Sequence, residues 1–389
     1  MRVAVVHDWL YTIGGAERVL KEILKCYPEA DVFTLFNFLS EAECQQIGLR
    51  KVRTSFLQKM PFVRKHHRAY LPLMPFAIEQ FDLSAYDLII SSSYAVARGV
   101  ITGPNQTHVS YVHSPMRYAW DLQHQYLRQS KREHGIGSLI ARFILHNMRI
   151  WDARTANGPD AMIANSNFVA RRIRKIYGRA STVIYPPVDL SSASMIKPRA
   201  SYFFAASRLV PYKNVDVIVE AFRELPDLNL VVAGTGPELA RLREIATPNV
   251  TFLGWVTDEE MRERMAAARA FIFAAEEDFG IVPVEAQAEG TPVLALGRGG
   301  ALETIKGEGP GKTGLFFDKP EPGKIAECVR DFITTEGEFS RNACRKQAET
   351  FSSEVFGKEF MSFIEKQMSG AAGANGRQNR RLADRRLEQ

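Results

Sequence analysis

The sequence predicts an α/β protein built on two doubly wound parallel sheets, and three observations lead there. Short β-like apolar runs alternate with amphipathic helical stretches along most of the chain. The alternation breaks once, at Tyr185-Pro186-Pro187-Val188-Asp189, and then restarts. A length of 389 residues, at roughly 150 per domain, suits two or three such domains.

In the first half, Val3 to Val6 reads as a buried strand and Gly14-Gly15 as a turn. Ala16 to Cys26 follows as a helix with Val19, Leu20, Ile23 and Leu24 on one face. Further strands are expected at Val32 to Leu35, Leu88 to Ser91, His108 to Val112, Ala161 to Ala164 and Thr182 to Ile184. Pro186 and Pro187 remove two donors and push the preceding residue into extended geometry, so 185–189 reads as an interdomain linker. Beyond it, strands at Tyr202 to Ala206, Leu228 to Ala233, Val250 to Phe252, Ala270 to Ala274 and Pro292 to Leu296 alternate with helices. Those helices are expected at Val215 to Arg223, Glu238 to Ile245, Asp258 to Ala267 and Val282 to Ala288. Ser352 to Met368 reads as one more amphipathic helix, and the Gly/Ala/Arg/Gln-rich stretch 369–389 as a flexible basic tail.

Composition narrows the function. With 46% hydrophobic and 24% charged residues the chain is neither disordered, collagenous nor a coiled coil. Four widely spaced cysteines without a C-x-x-C pair form neither a disulfide framework nor a zinc site, which fits a reducing cytosol. No window reaches the roughly 18 apolar residues of a membrane span, and the start is too short an apolar run for a signal peptide. Residues 1–190 carry a net +9 and residues 191–389 a net −3, so the halves are expected to meet different partners. Between Glu43 and Glu79 no acid occurs, while Arg50, Lys51, Arg53, Lys59, Arg64, Lys65 and Arg68 alternate with apolar residues such as Phe56 and Phe62. That mixture suits the anionic inner face of a membrane, with a solvated basic face over a core helix as the alternative. No nucleic-acid motif accompanies it, so nucleic acid is not expected.

The strongest chemical constellation is Ser207-Arg208-Leu209-Val210-Pro211-Tyr212-Lys213-Asn214, where a strand gives way to a helix. A lysine in the first turn of a helix opposes the dipole by about 0.3 to 1 kcal/mol unless an anion sits there. Arg208 offers a fork and Lys213 a point charge, so a diphosphate would turn repulsion into binding. A second helix start, Glu277-Asp278-Phe279-Gly280-Ile281-Val282-Pro283-Val284-Glu285, offers two carboxylates for hydroxyl pairs and main-chain donors around Gly280 and Ile281. Glu285 is expected in the opening turn, where the dipole favours it and capping alone would explain it. Gly234-Thr235-Gly236 allows close backbone approach after a strand, but Leu239 stands where a dinucleotide fingerprint needs its third glycine. Gly14 and Gly15 could bring main-chain donors to a phosphate, or simply turn the chain. His113 follows an apolar strand and should stand at a cleft rim, with Arg117, Tyr118, Trp120 and Asp121 either contacting an acceptor or packing the domain. No zinc-ligand spacing and no G-x-S-x-G elbow occur, so neither a protein-bound metal nor serine-hydrolase chemistry is expected.

Together these residues resemble the retaining GT-B glycosyltransferases of family 4, the glycosyl transferases group 1. The glycine loop matches at Gly14 and Gly15, the cleft histidine at His113, the basic pair at Arg208 and Lys213, and the E-x7-E motif at Glu277 and Glu285. The resemblance implies two Rossmann-like domains facing across a cleft: 1–185 for the acceptor, 190–350 for a nucleotide sugar, and 351–368 returning to the first. It gives the diphosphate to Arg208 and Lys213, ribose hydroxyls to Glu285, the transferred sugar to Glu277 and one of its hydroxyls to His113. Similarity to bacterial polysaccharide mannosyltransferases implies GDP-mannose as co-substrate, with no metal or other cofactor. The acceptor would be a saccharide or a polyprenyl-diphosphate-linked saccharide. The linker lacks the Asn-Gly often found there, which touches the hinge rather than the chemistry. An epimerase or hydrolase of the same fold, or a non-catalytic sugar-nucleotide-binding scaffold at a membrane, remain the alternatives.

Overall fold

A computed structural model describes residues 1–130, 132–190 and 199–369, so all but the first residue of the expected tail lies outside the described residues. The described residues form two compact units: Met1–Tyr185 together with the chain from Glu354 onward, and Pro186–Ser353.

The first unit carries seven parallel strands: β1 Val3–His7, β2 Asp31–Thr34, β3 Val52–Thr54, β4 Leu88–Ser93, β5 Thr107–Val112, β6 Ala161–Ala164 and β7 Thr182–Val183, in the order β3-β2-β1-β4-β5-β6-β7. The inner strands read as continuous apolar runs because helices cover both faces; β4 and β5 are buried at all six positions. Strand β3 is the one that the pattern does not announce. It is a three-residue edge whose Arg53 and Thr54 stay exposed, and charge on an edge strand discourages pairing with another chain. The basic stretch beyond β3 is not one amphipathic helix over the core. It folds as 3-10 turns Phe56–Lys59 and His67–Leu73 around a single helical turn Val63–His66, with Phe62 at φ 56° breaking continuity. The helix over residues 353–369 belongs to this unit. Its Phe356, Phe360 and Ile364 are buried against Val5, Leu20 and Tyr111, and the Phe356 and Phe360 rings stack 5.4 Å apart.

The second unit holds six parallel strands: β8 Tyr202–Ala206, β9 Asn229–Ala233, β10 Val250–Gly254, β11 Phe271–Phe273, β12 Val293–Leu296 and β13 Gly314–Phe317, in the order β10-β9-β8-β11-β12-β13. Helix Val215–Ala221 ends a turn early, and its expected last residues Phe222 and Arg223 wind into a 3-10 turn. Strand β13 and helices Pro322–Thr335 and Arg341–Glu349 complete the unit; the first of these helices buries Ile325, Val329 and Phe332 against Phe203 and Leu230.

Two histidines whose pKa burial lowers, His108 and His113, make stability depend on pH. His108 on β5 is fully buried, and its Nε2 lies 2.9 Å from the Ser91 hydroxyl. Burial, aided by the charge of Arg98, pushes its pKa from 6.5 down to about 3. The unfolded chain therefore binds a proton that the native state refuses. His108's contribution is complete above pH 6.5 and is lost progressively as pH falls toward about 3, at up to about 1.4 kcal/mol per pH unit. The thermal midpoint should fall from pH 6.5 to 5, and His108→Gln should remove part of that slope and leave the share of His113; an unchanged slope would rule out this account.

Candidate functional site

In an open parallel sheet, ligands bind outside the carboxyl ends of the strands where the chain reverses its winding direction. That point lies between β8 and β11 in the second sheet and between β1 and β4 in the first.

In the second unit the loop after β8 carries Arg208 and Lys213. Arg208 is exposed, and its guanidinium donates to the Tyr212 hydroxyl at 2.7 Å. Pro211–Lys213 forms a 3-10 turn, closed by Asn214 in the left-handed region at φ 52°. Lys213 thus stands before helix Val215–Ala221 rather than in its first turn, because Asn214 turns the chain before the helix begins. Its ammonium is ion-paired with the Glu277 carboxylate, so that carboxylate offsets its charge. The Asn214 amide donates to the Ala274 carbonyl at 2.9 Å, tying this loop to the end of β11. Gly234 and Gly236 serve a close approach: a Cβ on either would collide with the carbonyl oxygen of Ser207 or Leu209. The Leu209 amide in turn donates to the Thr235 carbonyl at 2.9 Å.

After β11 come Glu276, Glu277 and Asp278, all partly exposed, then Phe279, which is buried edge-on against Phe351 at 5.4 Å. Phe279 can therefore offer a ligand only its main chain. Gly280 at φ 84° starts helix Ile281–Ala288 without a side-chain cap. The Gly280 and Ile281 amides are thus among the donors that a helix start leaves without helical acceptors. Glu285 is the fifth residue of this helix, one position deeper than expected and past the first turn, where the dipole's pull is weaker. Two glycines outside the sequence motifs complete the wall: the Gly300 amide donates to the Glu277 carbonyl at 2.9 Å, and a Cβ on Gly299 would strike that same carbonyl. The signal for them was the run Gly297-Arg298-Gly299-Gly300 directly after β12.

In the first unit, Gly14 is extended at φ −123°, and its amide donates to Glu17 Oε2 at 2.9 Å. That donor is thereby occupied, and Gly15 opens helix Gly15–Cys26. His113 begins the loop after β5; its Nε2 lies 2.8 Å from the Ser92 hydroxyl and its carbonyl accepts from Asn165 at 2.8 Å. Burial and the nearby His7 push the His113 pKa down from 6.5 to about 3, so the ring is neutral near pH 7. The Ser92 hydroxyl is also 3.1 Å from His7 Nδ1, and His7 Nε2 is 3.4 Å from Glu17 Oε1. A continuous polar chain therefore links the glycine turn to His113 through Glu17, His7 and Ser92, none of which belongs to a sequence motif. Asp8, fully buried, accepts from the amides of Tyr94, Ala95, Val96 and Ala97 at 2.6, 2.9, 2.5 and 2.7 Å. It pins the end of β1 to the turn after β4, which are the two lips of this switch point.

The expected acceptor residues are more dispersed. Arg117 and Tyr118 are partly exposed, and burial raises the Tyr118 phenol well above its usual range. The Asp121 carboxylate pairs with Arg172 and, with Trp120, Arg172 and Lys175, lines a cavity of about 380 Å³. Trp120 donates from its indole to Asp152 at 2.7 Å and so helps to pack the domain. Among the described residues no cluster of three or more His, Cys, Asp or Glu is arranged to hold a metal ion.

Comparison with known proteins agrees with this fold. Residues 13–192 match Glycosyltransferase Family 4 and residues 190–351 match Glycosyl transferases group 1. Among solved structures, Anabaena Alr3699/HepE in complex with UDP superposes with a TM-score of 0.69 at 20% identity, covering 94% of this chain and all of that one. Sucrose-phosphate synthase from Thermosynechococcus elongatus gives 0.70 at 17% identity, covering 95% and 100%. Two Rossmann-like domains with all-parallel sheets define the GT-B class of glycosyltransferase fold. Within that class the chain belongs to the family 4 and group 1 glycosyltransferases. It is 30% identical over 211 residues to a GDP-mannose-dependent alpha-(1-6)-phosphatidylinositol monomannoside mannosyltransferase of Mycobacterium tuberculosis, covering 46% of this chain and 54% of that protein. It is also 27% identical over 228 residues to a D-inositol 3-phosphate glycosyltransferase of a Mycobacterium species, covering 52% and 51%. The chain thus spans about half the length of the curated relatives it matches.

Proposed function

We propose that the protein transfers a hexose, mannose, from GDP-mannose to a hydroxyl of a saccharide or polyprenyl-diphosphate-linked saccharide, with retention at the anomeric carbon, in polysaccharide assembly. The observation that carries this reading is the convergence of Arg208, Lys213, Glu277 and the uncapped start of helix Ile281–Ala288 on the switch point between β8 and β11. Breaking the bond between the sugar and the diphosphate leaves negative charge on the departing oxygen. Preorganised cations and helix-start amides stabilise that charge as it develops. The acceptor oxygen bonds to the anomeric carbon on the leaving-group face, and its proton passes to the departing diphosphate oxygen. No step in this scheme calls for a metal.

In this reading Arg208 and Lys213 hold the diphosphate, with Lys213 exchanging Glu277 for the anion while Glu277 turns to the sugar. Glu285 takes the ribose hydroxyls, and the main chain at Gly234, Gly236, Phe279, Gly280 and Ile281 surrounds the nucleotide. Gly15 and neutral His113 contact the transferred sugar and its phosphate, Gly14 only turns the chain because Glu17 holds its amide, and Arg117, Tyr118 and Asp121 contact the acceptor. Support for mannose comes from the mannosyltransferase among the relatives, a protein whose own donor is GDP-mannose.

Donor choice can be tested by thermal shift with GDP-mannose against UDP- and ADP-sugars. A ligand at about 100 times its dissociation constant stabilises by about 2.7 kcal/mol, so GDP-mannose should raise the midpoint clearly and the others little. A shift with a UDP-sugar alone would overturn the donor assignment. Nucleotide release that needs no acceptor would favour a hydrolase instead.

A further inference from the structure

Helix Ile136–Thr155 runs for 20 residues and buries Leu145, Met148 and Asp152 on its inner face. Its outer face is unusual. Ile136, Leu139, Ile140, Phe143 and Ile150 are exposed by 78, 68, 56, 68 and 56%. Their spacing places them on a single stripe, the pattern with which a helix normally faces a core. Here it faces outward, forming an apolar patch of the kind that marks an interaction surface.

The charge around the stripe selects the occupant. Among the described residues from Leu122 to Trp151, exposed Arg128 and Arg132 and partly exposed Arg142 and Arg149 stand against a single acid, Glu133. A second copy docking on this face would bring like charges together. The chain's own end, 370–389, has only Leu382 and Leu387 as large apolar residues and is itself basic, so it matches the stripe in neither chemistry nor charge. An anionic bilayer matches both: apolar side chains enter between headgroups while the cations meet the lipid phosphates. No described helix is long and apolar enough to cross a membrane, so the contact lies in the interface plane.

We propose that helix Ile136–Thr155 is a membrane-docking element that lays its outer stripe into an anionic lipid surface. The basic stretch first expected in that role adds a second foothold on the same unit, where exposed Phe56, Phe62 and Phe76 lie among exposed Lys59, Arg64 and Lys65. The helix supplies the longer apolar face. The inference concerns binding alone and stands whether or not the donor is GDP-mannose.

Co-sedimentation of the full chain with vesicles tests it. The protein should bind phosphatidylcholine vesicles that contain phosphatidylglycerol, bind pure phosphatidylcholine weakly, and dissociate as salt is raised. The double substitution Leu139→Ser with Phe143→Ser should weaken binding at least about tenfold, with circular dichroism and thermal midpoint unchanged because both side chains already face solvent. Arg128→Glu with Arg132→Glu should remove most of the salt-sensitive part. Full vesicle binding by the serine variant would overturn the proposal. So would failure of the natural chain to bind anionic vesicles combined with a dimer, seen by light scattering, that Phe143→Ser dissociates.

Discussion

Replacing Lys213 by alanine is expected to lower sugar transfer by about two to three orders of magnitude, the usual cost of removing one preorganised charge-stabilising group. The fold should survive. Lys213 sits in a 3-10 turn ahead of helix Val215–Ala221, and its ion-pair partner Glu277 lies outside the apolar core around Phe203 and Leu230. The ion pair with Glu277 means that the substitution removes the diphosphate's cation and also leaves Glu277 as an unopposed negative charge beside the anion. Donor affinity and turnover should therefore both fall, and Lys213→Ala with Glu277→Gln should recover part of the binding but not the rate. Arg208→Ala, at an exposed position, should show a similar loss with no change in thermal midpoint. Turnover and donor-induced thermal shift measured on the same folded samples decide the matter. Near-normal turnover in folded Lys213→Ala would remove the diphosphate from this loop altogether.

The strand and helix alternation was legible because parallel sheets covered on both faces write themselves as apolar runs, and β6, β8 and helix Asp258–Ala267 fall on their expected residues. The basic pair and the two glutamates were legible as residue types clustered after strands. Their pairing was not: an ion pair between Lys213 and Glu277 joins loops 64 positions apart, and only the order of β8 beside β11 brings them together. The same limit hid the chain from Glu17 through His7 and Ser92 to His113, which spans four separate elements and whose members look alone like ordinary helix-start and strand-end residues. Helix Ile136–Thr155 was missed for a different reason. Its two apolar faces blur the single periodic stripe by which an amphipathic helix is recognised.

The second large effect is on stability. Asp152→Ala is expected to cost about 3 to 5 kcal/mol, because it leaves a buried guanidinium without its counter-charge. Arg98 and Asp152 are both fully buried and paired in the first unit. Burial works most strongly against the Arg98 charge, and the Asp152 carboxylate together with Tyr177 and Asp8 more than offsets it. The carboxylate also accepts from the Trp120 indole at 2.7 Å and the Tyr177 hydroxyl at 2.9 Å, while the Arg98 guanidinium lies 4.5 Å over the Tyr177 ring. One residue thus joins helix Ile136–Thr155, helix Asn167–Tyr177, the loop after β5 and the turn after β4. Such a pair is weak evidence of net stabilisation, since desolvating two charges offsets most of their attraction. The expected pattern is therefore asymmetric: Asp152→Ala or Arg98→Ala alone should be severe, and Arg98→Met with Asp152→Leu should regain most of the loss. Urea unfolding followed by tryptophan fluorescence, to which Trp9, Trp120 and Trp151 of the first unit contribute, measures all three. If the apolar double variant stayed as unstable as either single one, the pair would be holding these four segments in register through its hydrogen bonds, and its charge would be incidental.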